Sequence, residues 1–252
     1  MQSDLMTLRL LLIGASDAQR QVWAQGSSRC SMPIEFFSTD MSDEVLARGA
    51  IDVCIVDAGL SNAARAGVVQ MARMMQPPPL VVIAGGGPGP RQAGIDGVIP
   101  RPSHAMEAAR YVDTCIRARL PTRTLIVDDS STMRHIVRKI LSASRFRMAI
   151  EEADDGPAAL RQVRAGGYGM IFLDYNMPGL NGFEPLRELR REHPDLAVVM
   201  ITSSTDDGIA DRARAAGAFG FLKKPFYPAD IDAVLERYFG LNGEPTGAPV
   251  RA

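Results

Sequence analysis

The side chains best placed to do chemistry are those that follow short apolar runs. In residues 170–182, MIFLDYNMPGLNG, the run ends at Asp174 and a Pro/Gly-rich loop leads away. Three further runs end in a similar way: TLIV at Asp128 and Asp129, AVVMI at Thr202, and FL just before Lys223 and Lys224. Buried parallel strands read as continuous apolar runs, and open α/β sheets do their chemistry just beyond the carboxyl ends of the strands. Three carboxylates brought together there raise at least one pKa by mutual repulsion, so a cation and the cluster explain each other.

The elements that must position these residues fit within what the composition permits. A chain of 252 residues, 46% hydrophobic and 23% charged, is globular and suits two domains of ordinary size. A formal net charge of -1 gives no support for a nucleic-acid or membrane-surface protein. Cys30, Cys54 and Cys115 are odd in number and show no metal-ligand spacing, so they read as reduced thiols of a cytosolic protein. The N-terminal residues lack the basic start of an export signal, and no segment approaches ~20 apolar residues, so neither export nor a membrane span is expected.

Along the first half the pattern alternates between strand and helix. Residues 10–13 read as a strand, followed by a Ser16 or Asp17 cap and a helix that buries Val22 and Trp23. A weak strand at 33–37, a short helix around Val45 and Leu46, and a buried strand at 53–56 ending at Asp57 come next. A helix over 63–75 is closed by three prolines, and residues 80–84 form the fourth strand. The segment GGGPGPRQAG, 85–94, reads as a loop, because glycine costs about 1 kcal/mol and proline about 3 in a helix interior. A brief strand at 97–99 and the Arg101-Pro102 step lead to a helix from Ser103 to about Leu120, with Met106, Ala109, Val112 and Ile116 inward.

Pro121 marks the expected boundary, after which the alternation repeats: strands at 124–127, 148–151, 170–173, 197–201 and 221–222, each followed by a helix. Ser130 or Ser131 caps a helix whose Met133, Ile136, Val137, Ile140 and Leu141 follow the spacing of one apolar face and read as core. Helices at 207–216 and 228–238 complete the set. The expected domains are residues 1–120, residues 121–241 and a loose tail at 242–252. Because βαβ crossovers are right-handed, each half gives an α/β fold with a doubly wound parallel five-stranded sheet.

Aligning the halves pairs Gly14 with Asp128, Asp57 with Asp174, Ala84 with Thr202 and Arg101 with Lys224, at number offsets of 114, 117, 118 and 123. The jump of five across the fourth unit is the deletion expected if the first half has lost or shortened its fourth helix.

The second half carries LIVDDS, LDYNMPGLNG, VVMITSS and FGFLKKPF in that order, each spanning a strand and the loop after it. This resembles the receiver domain of two-component response regulators over residues 124–241. The first half resembles the same flavodoxin-like (βα)5 fold in degenerate form, so the whole looks like a pseudo-receiver followed by a receiver. The resemblance implies that Asp174 accepts a phosphoryl group from a sensor histidine kinase or a histidine phosphotransfer protein. It also implies Mg²⁺ held by Asp128, Asp129, Asp174 and the backbone carbonyl of Asn176, with Asp128 acting through water. Thr202 then moves toward the phosphoryl group, Phe221 rotates inward behind it, and a downstream protein reads the surface of the fourth helix, fifth strand and fifth helix.

The residue types suit that chemistry. Phosphoryl transfer needs an in-line nucleophile and neutralised equatorial oxygens. Asp174 supplies the first; Lys224 and Thr202 supply charge and a hydroxyl; Mg²⁺ takes about six oxygens, few of them from protein. Pro225 is a candidate for the cis peptide that fixes how Lys224 enters. Lys223 reads as a solvated neighbour and Asp57 as a relic of the site, while His104, His135 and His193 read as structural. No nucleic-acid partner is expected, and a homodimer is open. Two other readings stand beside this one: a phosphoryl-handling, phosphatase-like enzyme, and a ligand-binding or dimerising adaptor gated by the first half. No second nucleophile, positioned base or nucleotide motif supports the enzyme.

Overall fold

The computed structural model describes residues 7–40, 50–87, 93–177, 180–204, 206 and 208–243. By its internal contacts the chain separates into two units, one formed by Met1–Leu120 with Glu236–Gly247, the other centred on Pro121–Leu235. In the first, β1 (Leu8–Ile13), α1 (Asp17–Ser27), β2 (Ile34–Thr39), β3 (Val53–Asp57), α2 (Asn62–Met74), β4 (Leu80–Ala84), β5 (Gly97–Ile99) and α3 (Ala105–Arg119) follow in order. The strands form one parallel sheet in the order β2-β1-β3-β4-β5. Central β3 and β4 are buried at every position, whereas edge strand β2 is not, which is why only the former read as unbroken apolar runs.

Side-chain oxygens or nitrogens cap the first turns of the helices. Ser16 accepts from the Gln19 N–H and Ser61 from the Ala64 N–H. For α3 the cap is His104, whose Nδ1 accepts from the Glu107 N–H, while Glu107 reaches back to the N–H and hydroxyl of Ser103. Trp23 is fully buried, but Val22 beside it is only half-buried, and Met106 stands 58% exposed rather than inward. The inner face of α3 starts at Ala108 instead, two residues further into the helix.

The expected short helix at Val45 and Leu46 lies outside the described residues, as does the 88–92 part of the glycine-rich loop. Among the described residues between β4 and β5 there is no helix. An ion pair ties this segment down: Arg73 of α2 donates to the Gly94 carbonyl at 2.9 and 3.1 Å and to Asp96 at 2.7 Å. The Asp96 carboxylate, 4% exposed, also accepts from the Val81 N–H of β4 at 2.7 Å. A buried carboxylate without these partners would be strongly destabilising.

The free edge of β5 is covered within the same unit. The Val98 N–H donates to the Leu241 carbonyl at 2.8 Å and the Gly243 N–H to the Val98 carbonyl at 2.9 Å. Asn242 and Gly243, at the start of the segment read as a tail, therefore continue the sheet, and Leu241 is 1% exposed. A methyl on Gly97 would stand 2.5 Å from the Leu241 Cβ, so the close approach requires glycine there.

The second unit contains β6 (Thr122–Val127), α4 (Ser131–Ser142), β7 (Met148–Ala153), α5 (Gly156–Arg164), β8 (Met170–Asp174), the two-residue strands β9 (Asn176–Met177) and β10 (Leu180–Asn181), α6 (Phe183–Glu192), β11 (Ala197–Thr202), α7 (Ile209–Ala215), β12 (Gly220–Lys223) and α8 (Pro228–Phe239), the last four residues of α8 being grouped with the first unit. Its parallel sheet runs β12-β11-β8-β6-β7. Both five-stranded sheets with flanking helices are thus the doubly wound, flavodoxin-like arrangement expected. Position 207, where a helix was expected to start, lies outside the described residues. On α4 only Val137 and Leu141 are fully buried, and Ile136 is 43% exposed, because the seam against the sheet is narrower than the apolar stripe. In β8 every side chain is buried, and Ile171, Phe172 and Leu173 each stabilise the unit by roughly 1.5–3 kcal/mol.

Trp23 is the chain's only tryptophan, so its fluorescence reports the first unit alone. Gly97→Ala is expected to destabilise that unit by about 1–3 kcal/mol, through overpacking against Leu241, read as a lower denaturant midpoint of Trp23 emission. An unchanged midpoint would mean that Leu241 does not pack on β5 in solution.

Candidate functional site

The carboxyl ends of β6, β8, β11 and β12 bring the singled-out residues together. β6 and β8 are direct neighbours, with Val127 beside Leu173, so the residues that follow them, Asp128 and Asp174, meet. Ligand oxygens of Asp128, Asp129 and Asp174 all lie within 4.8 Å of one another. Asp128 and Asp174 are 3% and 4% exposed, and Asp129 is exposed. Lys224 spans the two buried ones, its Nζ donating to Asp174 at 2.7 Å and to Asp128 at 3.1 Å.

Backbone and loop groups fix the rest. The Asn176 N–H donates to Asp174 Oδ2 at 3.0 Å, and the Ser130 N–H to Asp128 Oδ1 at 2.9 Å. Thr202 is fully buried; its hydroxyl accepts from the Ser204 N–H at 3.1 Å, and its carbonyl accepts from the Lys224 N–H at 2.7 Å. The Asn176 amide lies across the opening, donating to Ser203 at 3.0 Å and Thr202 at 3.4 Å. The Lys224-Pro225 peptide is cis. Gly182 closes the loop behind the site, where an added Cβ would lie 2.9 Å from the Asp174 carbonyl oxygen. Phe221 is half-buried against the core and Lys223 exposed.

Electrostatics follow from this geometry. Burial pushes the Asp174 carboxyl above its ordinary pKa; the Lys224 hydrogen bond and charge pull it back, and Asp128 pushes it up again, leaving the net shift upward. Burial draws the Lys224 ammonium down, but its hydrogen bond and charge pairing with Asp174, together with Asp128, outweigh that and raise it. Three hard carboxylate donors so close together fit an oxygen-seeking divalent cation such as Mg²⁺. Burial pushes the thiols of Cys30, Cys54 and Cys115 up to about 12, which favours the neutral thiol near neutrality.

Sequence reading missed Arg134. From α4 its Nη1 donates to the carbonyl oxygens of Asp128 and Asp129 at 2.8 and 3.4 Å, and its Nε donates to Glu152 at 3.1 Å. An arginine one turn into the helix that follows an acidic pair was the available signal.

The corresponding place in the first unit is organised differently. Asp57, 4% exposed, is held two-pronged by Arg101, at 2.7 Å from Nη2 and 3.2 Å from Nε, and accepts the Gly59 N–H at 2.8 Å. Where the second unit has Asp128, the first has Gly14, with Leu60 packed so close that a Cβ would come within 2.4 Å of it. Register corrects one expected pairing. Asp57 lies opposite Ala84 as Asp174 lies opposite Ile201, so the counterpart of Thr202 is Gly85, not Ala84. The guanidinium lies over Gly85, 3.2 Å from where its Cβ would be. His104 is the α3 cap described above, and His135 is exposed on α4.

Two flavodoxin-like α/β units, one bearing an acidic cluster and lysine at its strand ends, define a tandem of receiver type. The family model for the response regulator receiver domain matches residues 124–236. Over 119 residues the chain is 38% identical to chemotaxis protein CheY-3 of Vibrio cholerae, covering 46% of this chain and 91% of that protein. It is 35% identical to chemotaxis protein CheY of Pseudomonas aeruginosa, covering 46% of this chain and 95% of that one. A solved probable two-component system response regulator/GGDEF domain protein shares the fold across 91% of this chain and 97% of its own, at 24% identity and a TM-score of 0.51. The chain belongs to the response regulator receiver family, through its second half, and to two-component signalling. No helix among the described residues is long and apolar enough to cross a membrane.

Lys224→Met leaves Asp128 and Asp174 buried without a counter-charge. In the absence of divalent ions it is expected to destabilise the second unit by about 3–5 kcal/mol, measured by denaturant unfolding followed by circular dichroism.

Proposed function

We propose that residues 121–241 act as a phosphoacceptor receiver and residues 1–120 as a pseudo-receiver, in a protein that signals by protein contact. The observation that carries this reading is Lys224 bridging buried Asp174 and Asp128, with Asp129 and Thr202 at the same strand ends. An Asp174 oxygen attacks the phosphorus of a phosphohistidine on a kinase or phosphotransfer protein. The P–N bond breaks, the imidazole takes back the electron pair, and Asp174 becomes an aspartyl phosphate. Lys224 turns its ammonium to the transferred oxygens, and the Thr202 hydroxyl donates to them once it leaves the Ser204 N–H. Asp128, Asp129, Asp174 and the Asn176 carbonyl would hold Mg²⁺, which when bound neutralises charge on the phosphoryl oxygens.

The chain's own contribution is positioning, so self-labelling and slow hydrolysis are its only expected reactions. Withdrawal of Thr202 from its loop contact biases the neighbouring surface of α7, β12 and α8, where a downstream protein binds. Similarity to two chemotaxis proteins supports the receiver role and leaves the partner of this chain to be found by binding. In the first unit, Arg101 already occupies both Asp57 oxygens, so Asp57 is not a phosphoacceptor.

Incubation with acetyl phosphate and Mg²⁺ is expected to give one phosphoryl group per chain by intact mass. Asp174→Asn and chelation by EDTA abolish it, and Asp57→Asn leaves it unchanged. Equal labelling of Asp174→Asn would refute the assignment.

A further inference from the structure

The acidic cluster contains two kinds of carboxylate. Asp128 and Asp174 are fixed through their side chains by Lys224 and by backbone N–H groups. Asp129 is exposed, and its carboxylate has no hydrogen-bond partner among the described residues. Its direction is therefore set by its backbone, and the side chain that grips that backbone is Arg134, through the carbonyl oxygens of Asp128 and Asp129. The guanidinium is itself anchored: its Nε donates to Glu152 at 3.1 Å, and Glu152 accepts from Arg138 at 2.6 Å on its other oxygen. Gln162 adds a bond from its amide to the Glu152 carbonyl at 3.0 Å. A rigid fork with several donors suits this double grip, which a lysine can make only in part.

We propose that Arg134 is a positioning residue: by holding the Asp128 and Asp129 carbonyls to β7 it fixes the turn that aims Asp129 at Asp174, and so sets the affinity of the cluster for Mg²⁺. The inference rests on the phosphoacceptor reading of the same site. Charge alone predicts the opposite sign, since removing a cation near three carboxylates favours binding of another. The direction of the effect therefore separates positioning from simple electrostatics.

The test is titration of the full-length protein with MgCl₂ in a calorimeter, comparing wild type with Arg134→Gln, Arg134→Lys and Arg138→Gln. Partners that orient metal ligands are typically worth 10–100-fold in affinity, so Arg134→Gln is expected to weaken Mg²⁺ about tenfold or more. Arg134→Lys is expected to fall between Arg134→Gln and wild type. Arg138→Gln removes the other arginine of the Glu152 ion pair and a bond to the Ile150 carbonyl, but no contact to the Asp128 or Asp129 carbonyls, and should bind as wild type does. Labelling by acetyl phosphate at saturating Mg²⁺ should stay within about twofold of wild type, because the loss lies in binding. Unchanged or tighter binding by Arg134→Gln overturns the proposal, as does equal weakening by Arg138→Gln. If Arg134→Gln does not fold, wild-type affinity in Arg134→Lys overturns it. A wild type that binds no Mg²⁺ refutes the phosphoacceptor reading itself.

Discussion

Two buried carboxylates sharing one ammonium set the terms for the second unit. Asp128 and Asp174 sit at the ends of adjacent strands with almost no access to water, an arrangement whose desolvation is tolerated only while Lys224 stands between them. Everything nearby serves that balance. The Asn176 and Ser130 N–H groups bond the second oxygen of each carboxylate, Thr202 accepts the Lys224 backbone N–H, and Gly182 lets the loop after Asp174 turn tightly. The charge balance of the buried pair depends on a single ammonium.

The first unit answers the same problem in another way. Asp57 is as buried as Asp174, but one guanidinium engages both of its oxygens in a planar two-pronged pair. The space for that guanidinium comes from Gly85, where the second unit has Thr202, and the space of the missing acidic residue is filled by Leu60. Loss of the acidic pair, the hydroxyl and the lysine is thus one coordinated change: with the repelling partner gone, a bulkier cation fits and closes the site.

The architecture and the main site were readable because strands buried on both faces leave unbroken apolar runs that end at the residues in question. Asp128, Asp174, Thr202 and Lys224 are all found that way. What escaped depends on contacts far apart in sequence. The Ala84 pairing missed by one residue because an apolar run does not mark where its hydrogen-bond register stops, and β4 ends at Ala84 with Gly85 taking the place of Thr202. Met106 and Ile136 look like core by spacing, yet a helix face is wider than the seam it buries. Arg134 escaped because its targets are carbonyl oxygens, which leave no trace in residue type, and the covering of β5 by residues 241–243 has no local signature at all.

That covering reverses the usual order in which a two-unit chain is completed. Synthesis runs from the N-terminus, and early units ordinarily close before later ones emerge. Here β5 presents the unpaired N–H and carbonyl of Val98 until residues 241–243 have been translated, more than a hundred residues after the rest of its sheet. An open strand edge is a template for pairing with another chain. The first unit's sheet is thus completed by chain that follows the whole of the second unit in sequence.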